Sequence, residues 1–319
     1  MIHVVIVGYN SAHVLAGSIA PLMGNPEIRV TLVDNASSDD TVQIIRDSFP
    51  AVDVIEAGGN LGFAKAVNLG VASGKDTDDY VLLLNPDAVI SADDVVLLAA
   101  SMRREGVQVG APHVAQPAGT FKILELGRFP SLRAVFYHYS GLSRFAGRIP
   151  SLEGQFLLKK DAPGSRDVEW VTGAVLMIKR DSFEQLGGLS ERWFMYAEDI
   201  DLCFRANRSG MRTRYFSNIP AEHIMGASTS SKSSKTNSAP FVNLLDFYSL
   251  SMAPSQAHVL AWRVTVAGGL LSRAVLFFLR GAKGKASRSH SSETAYWLAR
   301  ARTFYRYARD VLSTRLERK

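Results

Sequence analysis

The sequence predicts an α/β fold: a mostly parallel sheet flanked by helices, followed by a helical C-terminal extension. Three observations carry that expectation. Apolar, β-branched runs alternate with helix-like segments through the first part of the chain, the pattern of βαβ units with right-handed crossovers. The run Tyr80-Val81-Leu82-Leu83-Leu84 is apolar throughout and closes on Asn85-Pro86-Asp87, as a strand covered on both faces does. The 319 residues, 47% of them hydrophobic, suffice for one large domain plus an extension.

Taken in order, strands are expected at Ile2 to Val7, Ile28 to Val33, Val52 to Ala57, Tyr80 to Leu84 and Val107 to Ala111. Helices are expected over Ala12 to Met23, Asp39 to Ser48, Phe63 to Ala72 and Ala92 to Arg104, the last with Ser91 spaced as its N-cap ahead of Asp93-Asp94. The opening Met1-Ile2-His3-Val4 lacks a basic segment and a small-residue cleavage site, so no signal peptide is expected. Residues 112–167 have scattered Gly, Pro and aromatics without a period and are read as a variable insertion. Regularity returns at Trp170 to Ile178, a strand interrupted at Gly173-Ala174, and at Phe183 to Gly188, a short helix with a glycine stop. The resulting organisation is an α/β domain over 1–228, a Ser/Thr/Lys/Asn-rich flexible loop over 229–240 and a helical, basic extension over 241–319.

The formal charge of +6 is unevenly spread: residues 258–319 carry 13 Lys plus Arg against 3 Asp plus Glu, and the rest of the chain is net acidic. Basicity confined to the tail argues against nucleic acid as a partner of the catalytic face and towards a tail that meets anionic lipid. Within it, Val259 to Leu279 is an apolar stretch broken by Arg263 and Arg273. The two arginines fall on one side of a helix, as in a helix lying in a membrane interface; a two-helix cap on the domain is the other reading. The single cysteine, Cys203, excludes an internal disulfide framework and a cysteine-rich zinc site, which fits a reducing, cytoplasmic setting, peripheral to the inner face of the membrane if the tail binds lipid.

Four polar clusters follow four successive strands: Gly8-Tyr9-Asn10-Ser11, Asp34-Asn35-Ala36-Ser37, Gly58-Gly59-Asn60-Leu61-Gly62 and Asn85-Pro86-Asp87. In a parallel sheet all four reach one edge, where α/β folds bind ligands. Tyr9 can offer a ring to a base, Asp34 can accept from a base N–H, and the glycines let backbone approach phosphate or ribose. The first cluster lacks the second and third glycines of a dinucleotide fingerprint and no Walker A sequence occurs, so the pocket suits a nucleotide other than NAD or P-loop ATP. Asp87 is a candidate ligand for a metal or a ribose. Tyr196-Ala197-Glu198-Asp199-Ile200-Asp201 places acids where a helix opens, either as a general base or as partners of the helix dipole, and His223 follows a further strand.

Val33-Asp34-Asn35-Ala36-Ser37, Asn60-Leu61-Gly62-Phe63-Ala64, Leu84-Asn85-Pro86-Asp87, Trp170-Val171-Thr172-Gly173-Ala174, Phe194 to Leu202 and His223 to Ser228 together resemble family 2 glycosyltransferases of the GT-A (Rossmann-like) fold, in particular their bacterial rhamnosyltransferase-like branch. The resemblance covers about residues 2–228. It implies an inverting transfer from a dTDP- or UDP-sugar donor, best read as rhamnose from dTDP-rhamnose, to a glycan or lipid-linked acceptor of the cell envelope. It further implies that Tyr9, Asn10, Asp34, Asn60 and Asn85 bind the nucleotide, Asp87 and His223 hold Mg²⁺ or Mn²⁺, and Asp199 beside Glu198 serves as base. Trp170, Gly173, Ala174 and Asp201 would meet sugar or acceptor. Many relatives carry Asp-x-Asp where this chain has Asn85-Pro86-Asp87, which leaves one carboxylate for the metal. A non-catalytic nucleotide-sugar-binding subunit and a nucleotidyltransferase are the alternatives.

Overall fold

The computed structural model describes all residues except 76, 116–122, 159–163, 224–236, 287–290 and 317–319, and leaves out the side chains of 123, 284–286 and 291. The chain forms two compact units, Met1–Phe129 with Phe156–Lys232, and Pro130–Gln155 with Ser233–Lys319. Most of the loop expected at 229–240 lies outside the described residues.

The first unit opens with β1 (Ile2–Gly8), α1 (Ala12–Ile19), β2 (Ile28–Asp34), α2 (Thr41–Ser48), β3 (Asp53–Glu56), α3 (Phe63–Ala72) and β4 (Tyr80–Leu84), strand and helix in alternation. β5 (Ala88–Val89), α4 (Ala92–Glu105) and β6 (Val109–Ala115) follow. α4 starts where its sequence says: the Ser91 hydroxyl accepts from the Asp94 N–H at 3.1 Å, Asp93 and Asp94 occupy the positive end, and Gly106 stops the helix in the left-handed region. The insertion contributes β7 (Ile123–Gly127), α5 (Leu132–Ser140), β8 (Phe156–Leu158) and β9 (Arg166–Asp167), of which α5 belongs to the second unit. β10 (Trp170–Val171), β11 (Val175–Lys179), α6 (Arg180–Gln185), α7 (Glu198–Arg208) and β12 (Thr213–His223) complete the first unit.

The main sheet runs β3-β2-β1-β4-β11-β6-β12-β5. β3, β2, β1 and β4 are mutually parallel, β11 is antiparallel to β4 and β6, and β12 is parallel to β6. Two reversals leave β6 and β12 pointing the same way as the first four strands. All six therefore end at one edge, where antiparallel β11 begins. The strand expected over Trp170 to Ile178 is in fact two: β10 joins β7 and β8 in a small antiparallel sheet, and β11 enters the large one. Gly173-Ala174 is the crossover between them, which brings it to the edge with the strand ends.

Strands β1 and β4 are buried at every position, as their unbroken apolar runs require. Ile6, Leu15, Leu32, Leu82, Leu98 and Val175 belong to one core cluster. The opposite edge is closed by ions: Asp78, fully buried, meets Arg29 at 2.7 Å and Arg180 at 3.5 Å. Charge is neutralised internally there, whereas the C-terminal edge keeps its polar groups for other partners.

In the second unit, α9 (Gln256–Ala286) packs against α5, α8 (Ala239–Ser251) and α10 (Ser291–Ser313). Trp262 is fully buried, stacks on Tyr248 with ring centroids 5.6 Å apart and donates its indole N–H to the Pro130 carbonyl at 2.8 Å.

Candidate active site

The three loops after β1, β2 and β3 are stitched together by their own side chains. The Asn10 N–H donates to the Ser37 hydroxyl at 2.9 Å, and the Asn10 side-chain oxygen accepts from the Ser38 N–H at 2.7 Å. Buried Asn35 bridges onward, its amide donating to the Gly62 carbonyl at 3.1 Å and its oxygen accepting from the Leu61 N–H at 2.9 Å. Asn60 is exposed and its oxygen accepts from Gly62 N–H at 3.2 Å. Asp34 is buried: Oδ2 accepts from the Ser37 N–H at 3.0 Å, while Oδ1 has no hydrogen-bond partner among the described residues. A buried carboxylate oxygen costs free energy unless something donates to it, so Oδ1 is a built acceptor. Tyr9, 47% exposed, stands beside this group as an open ring.

Asn85 and Asp87 form a second group. The Asn85 N–H donates to the Ala174 carbonyl at 2.9 Å, tying the end of β4 to the crossover before β11. β12 pairs with β5 so that His223 lies opposite Ala88, directly beside Asp87. His223 Nε2 sits 3.2 Å from Asp87 Oδ1 and 3.4 Å from the Asn85 amide nitrogen, and Nδ1 lies 3.7 Å from Glu125 Oε2. Burial disfavours the imidazolium, but the facing Asp87 and Glu125 carboxylates outweigh it and raise the His223 pKa to about 9. Asn85 thus belongs with His223. Glu125 escaped the sequence reading because it sits on short β7 in a segment without a period.

The third group is at the start of α7. Tyr196 and Ala197 enter it with φ of 73° and 79°, and together with Asn10 at 51° and Ala36 at 65° they are the non-glycine residues in the left-handed region among the described residues. All four flank the strand-end edge or the Glu198-Asp199 pair, where strain of this kind is expected to be held for function. Asp199 Oδ2 accepts from the Gly173 N–H at 3.0 Å and Oδ1 from the Ile200 N–H at 2.8 Å. Glu198 is buried and its Oε2 has no hydrogen-bond partner among the described residues. Burial raises both acids, and the neighbouring Asp199 charge pushes Glu198 further, to about 8. Asp199 accepts from two backbone N–H groups, which favours its charged form over that of Glu198. Asp201 is committed elsewhere: it holds Arg205 at 2.7 Å, and that guanidinium also donates to the carbonyls of Leu186 and Gly188. Trp170 is buried against Phe156 and donates to the Arg128 carbonyl at 2.8 Å.

Glu198 makes stability pH-dependent. The native state keeps a proton that an unfolded glutamate loses near its ordinary pKa of 4.5, so this residue's contribution to stability falls as pH rises from there and levels off above about 8. Glu198→Gln removes that slope. Between pH 5 and pH 9 the variant is expected to gain roughly 1–3 kcal/mol relative to the parent in urea unfolding, the cost range of a poorly solvated buried group; parallel pH profiles would exclude the assignment.

Comparison with known proteins gives the chain its family. Residues 3–162 match the sequence family described as Glycosyl transferase family 2. The chain is 32% identical over 212 residues to an N-acetylglucosaminyl-diphospho-decaprenol L-rhamnosyltransferase of Mycobacterium tuberculosis, covering 63% of this chain and 68% of that one. The chain belongs to glycosyltransferase family 2. It is therefore a glycosyltransferase, with relatives that are rhamnosyltransferases. A second relative, the rhamnosyltransferase WbbL of Escherichia coli K12, is 26% identical over 233 residues, 70% of this chain and 83% of that protein. The crystal structure of S. aureus TarS 1-349 in complex with UDP-GlcNAc aligns with a TM-score of 0.53 over 97% of this chain and 90% of that one, at 13% identity. That likeness speaks for the fold, which is GT-A-like: a largely parallel, mixed sheet flanked by helices, with C-terminal helices.

Proposed function

We propose that the transferase domain, about residues 1–228 and built mainly on the first unit, moves rhamnose from dTDP-rhamnose, with inversion, to a hydroxyl of a cell-envelope glycan or lipid-linked acceptor. The observation that carries this reading is the meeting, at one sheet edge, of an acceptor for a base, a carboxylate–imidazole pair and a second, buried carboxylate pair. Asp34 Oδ1 is unsatisfied and suits a base N–H, Tyr9 offers a ring, and Asn10 and Asn60 shape the loops around it. The relatives named as rhamnosyltransferases support the sugar.

Asp87 and His223 suit a divalent cation. Two neighbouring ligands of an octahedral Mg²⁺ or Mn²⁺ stand about 3 Å apart at bond lengths near 2.1 Å, and the carboxylate oxygen and imidazole nitrogen here are 3.2 Å apart. Glu125 on the far ring nitrogen is the carboxylate that orients such a histidine, and an arriving cation would displace the Nε2 proton. When bound, the cation offsets charge on the departing diphosphate. The Asn85 amide nitrogen, 3.4 Å from Nε2, borders the same position.

Asp199 takes the proton from the acceptor hydroxyl. That oxygen bonds to the anomeric carbon from the face opposite the phosphate, and the nucleoside diphosphate leaves with the electron pair of the broken bond. Each Asp199 oxygen already accepts one backbone N–H, which fixes the carboxylate and leaves a further lone pair on each oxygen. Gly173 and Ala174 border the acceptor, while Trp170 and Asp201 hold its surroundings from behind. The tail's charge supports attachment at the inner face of the membrane, where a lipid-linked acceptor would be met.

Incubation with labelled nucleotide sugars and a lipid-linked acceptor tests the reading: release of dTDP with a new glycoside is expected, and release of pyrophosphate would instead mean nucleotidyl transfer. In the same series Asp87→Ala is expected to weaken Mn²⁺-dependent donor binding in calorimetry by about tenfold or more with the fold retained. Unchanged metal dependence would remove Asp87 from the cation site.

A further inference from the structure

The second unit carries a surface that sugar transfer does not explain. On α9, Leu260, Val264, Leu271, Val275 and Phe278 fall within about 60° of one another around the helix axis and run for about 27 Å along it. Leu260, Val264, Val275 and Phe278 are each more than half exposed; Leu276 and Leu279 are exposed too, but lie about 40–100° beyond the edge of the row around the axis. The other side of the same helix is core: Trp262, Val266 and Leu270 are buried, and at Gly269 an added Cβ would lie within 2.5 Å of Tyr139 on α5, so the two helices pack too closely there for a side chain. An apolar row of this length left in water is costly, and something is expected to cover it.

Charge selects the occupant. The tail has a balance of +10. Arg280 and Lys283 are exposed on the last turns of α9, on the side away from the apolar row, and α10 presents exposed Arg302 and Arg309 with Tyr305 and Leu312. A second copy would bring basic surface against basic surface, whereas anionic lipid headgroups satisfy it. Gln256–Lys283 is also long and apolar enough, by length and composition, to cross a membrane. Its two internal arginines argue otherwise: Arg263 donates to the carbonyls of Leu312 and Thr314 at 2.7 and 2.9 Å, and Arg273 lies over the Tyr139 ring at 5.1 Å. Crossing would strip these contacts and the Trp262 side from the unit's own core.

We infer that α9 docks the protein onto an anionic bilayer by laying its Leu260–Phe278 row into the headgroup boundary, without spanning it. This deepens the membrane-face reading above but rests on none of the transfer chemistry. The test is cosedimentation of the full chain with phosphatidylglycerol or phosphatidylcholine vesicles. The parent should pellet with the anionic vesicles alone and be released by high salt or carbonate. A variant with Leu260→Ser, Val264→Ser, Val275→Ser and Phe278→Ser, all at exposed positions, should bind the anionic vesicles at least about tenfold more weakly. Its thermal transition and donor affinity should be unchanged, so that failure here is separable from failure of the transferase reading. Equal binding by parent and variant overturns the inference, as does retention of the parent after carbonate, which would mean a spanning helix. A concentration-dependent dimer that the substitutions abolish, without vesicle binding, overturns it in favour of a second copy.

Discussion

Replacing Asp199 with Asn is expected to cut sugar transfer by about 10²- to 10⁴-fold, the range for loss of a positioned general base, while donor affinity stays within a few-fold of the parent. The substitution keeps the shape of the side chain. It keeps one oxygen to accept from Gly173 or Ile200 and removes the group able to take a proton. Because burial raises the Asp199 pKa, the parent's kcat should rise with pH as the acid ionises, and the residual activity of the variant should lose that limb. Calorimetry with donor separates the roles. If Asp199→Asn loses donor binding along with turnover, the carboxylate belongs to the donor pocket and the base must be sought elsewhere. A fall of only a few-fold in kcat would also remove it from the chemistry.

How far the sequence alone leads depends on whether a signal is local. Tyr80 to Leu84 and Phe63 to Ala72 could be read to the residue because each is set by its own periodicity and by adjacent turn chemistry. The edge at which the first four polar clusters gather was legible too, since a parallel order of β1 to β4 follows from the alternation of strands and helices. The reversal at β11 was not legible. An apolar run looks the same in either direction, and the Gly173-Ala174 break marks a change of sheet that only partners 43 to 99 residues away decide. Glu125 is a contact of the same kind, made across 98 residues to His223 from a segment with no pattern of its own. Asp201 shows the converse: it pairs with Arg205 one helical turn on, and that local pairing is where its carboxylate goes.

Gly62→Ala is expected to damage both stability and turnover, and more than its backbone angle alone would require. Gly62 has φ of +81°, so any side chain there carries the left-handed penalty of about 1–2 kcal/mol. Gly58, at +70° in the same loop, has open space around a would-be Cβ, so Gly58→Ala isolates that penalty. At Gly62 an added Cβ would press into the Phe194 carbonyl oxygen and come within 2.9 Å of the Phe194 ring. That carbonyl accepts the Phe63 N–H at 2.9 Å, which opens α3, and the chain beyond it runs through Tyr196 and Ala197 into Glu198 and Asp199. Relieving the clash must therefore move either the start of α3 or the strained segment that aims the proposed base. We expect Gly62→Ala to unfold about 1–3 kcal/mol more easily than Gly58→Ala, with kcat reduced by a further order of magnitude in the fraction that stays folded. Urea unfolding and steady-state kinetics on the two variants check this directly. If they lose stability equally and keep equal kcat, the contact between Gly62 and Phe194 does not position Asp199.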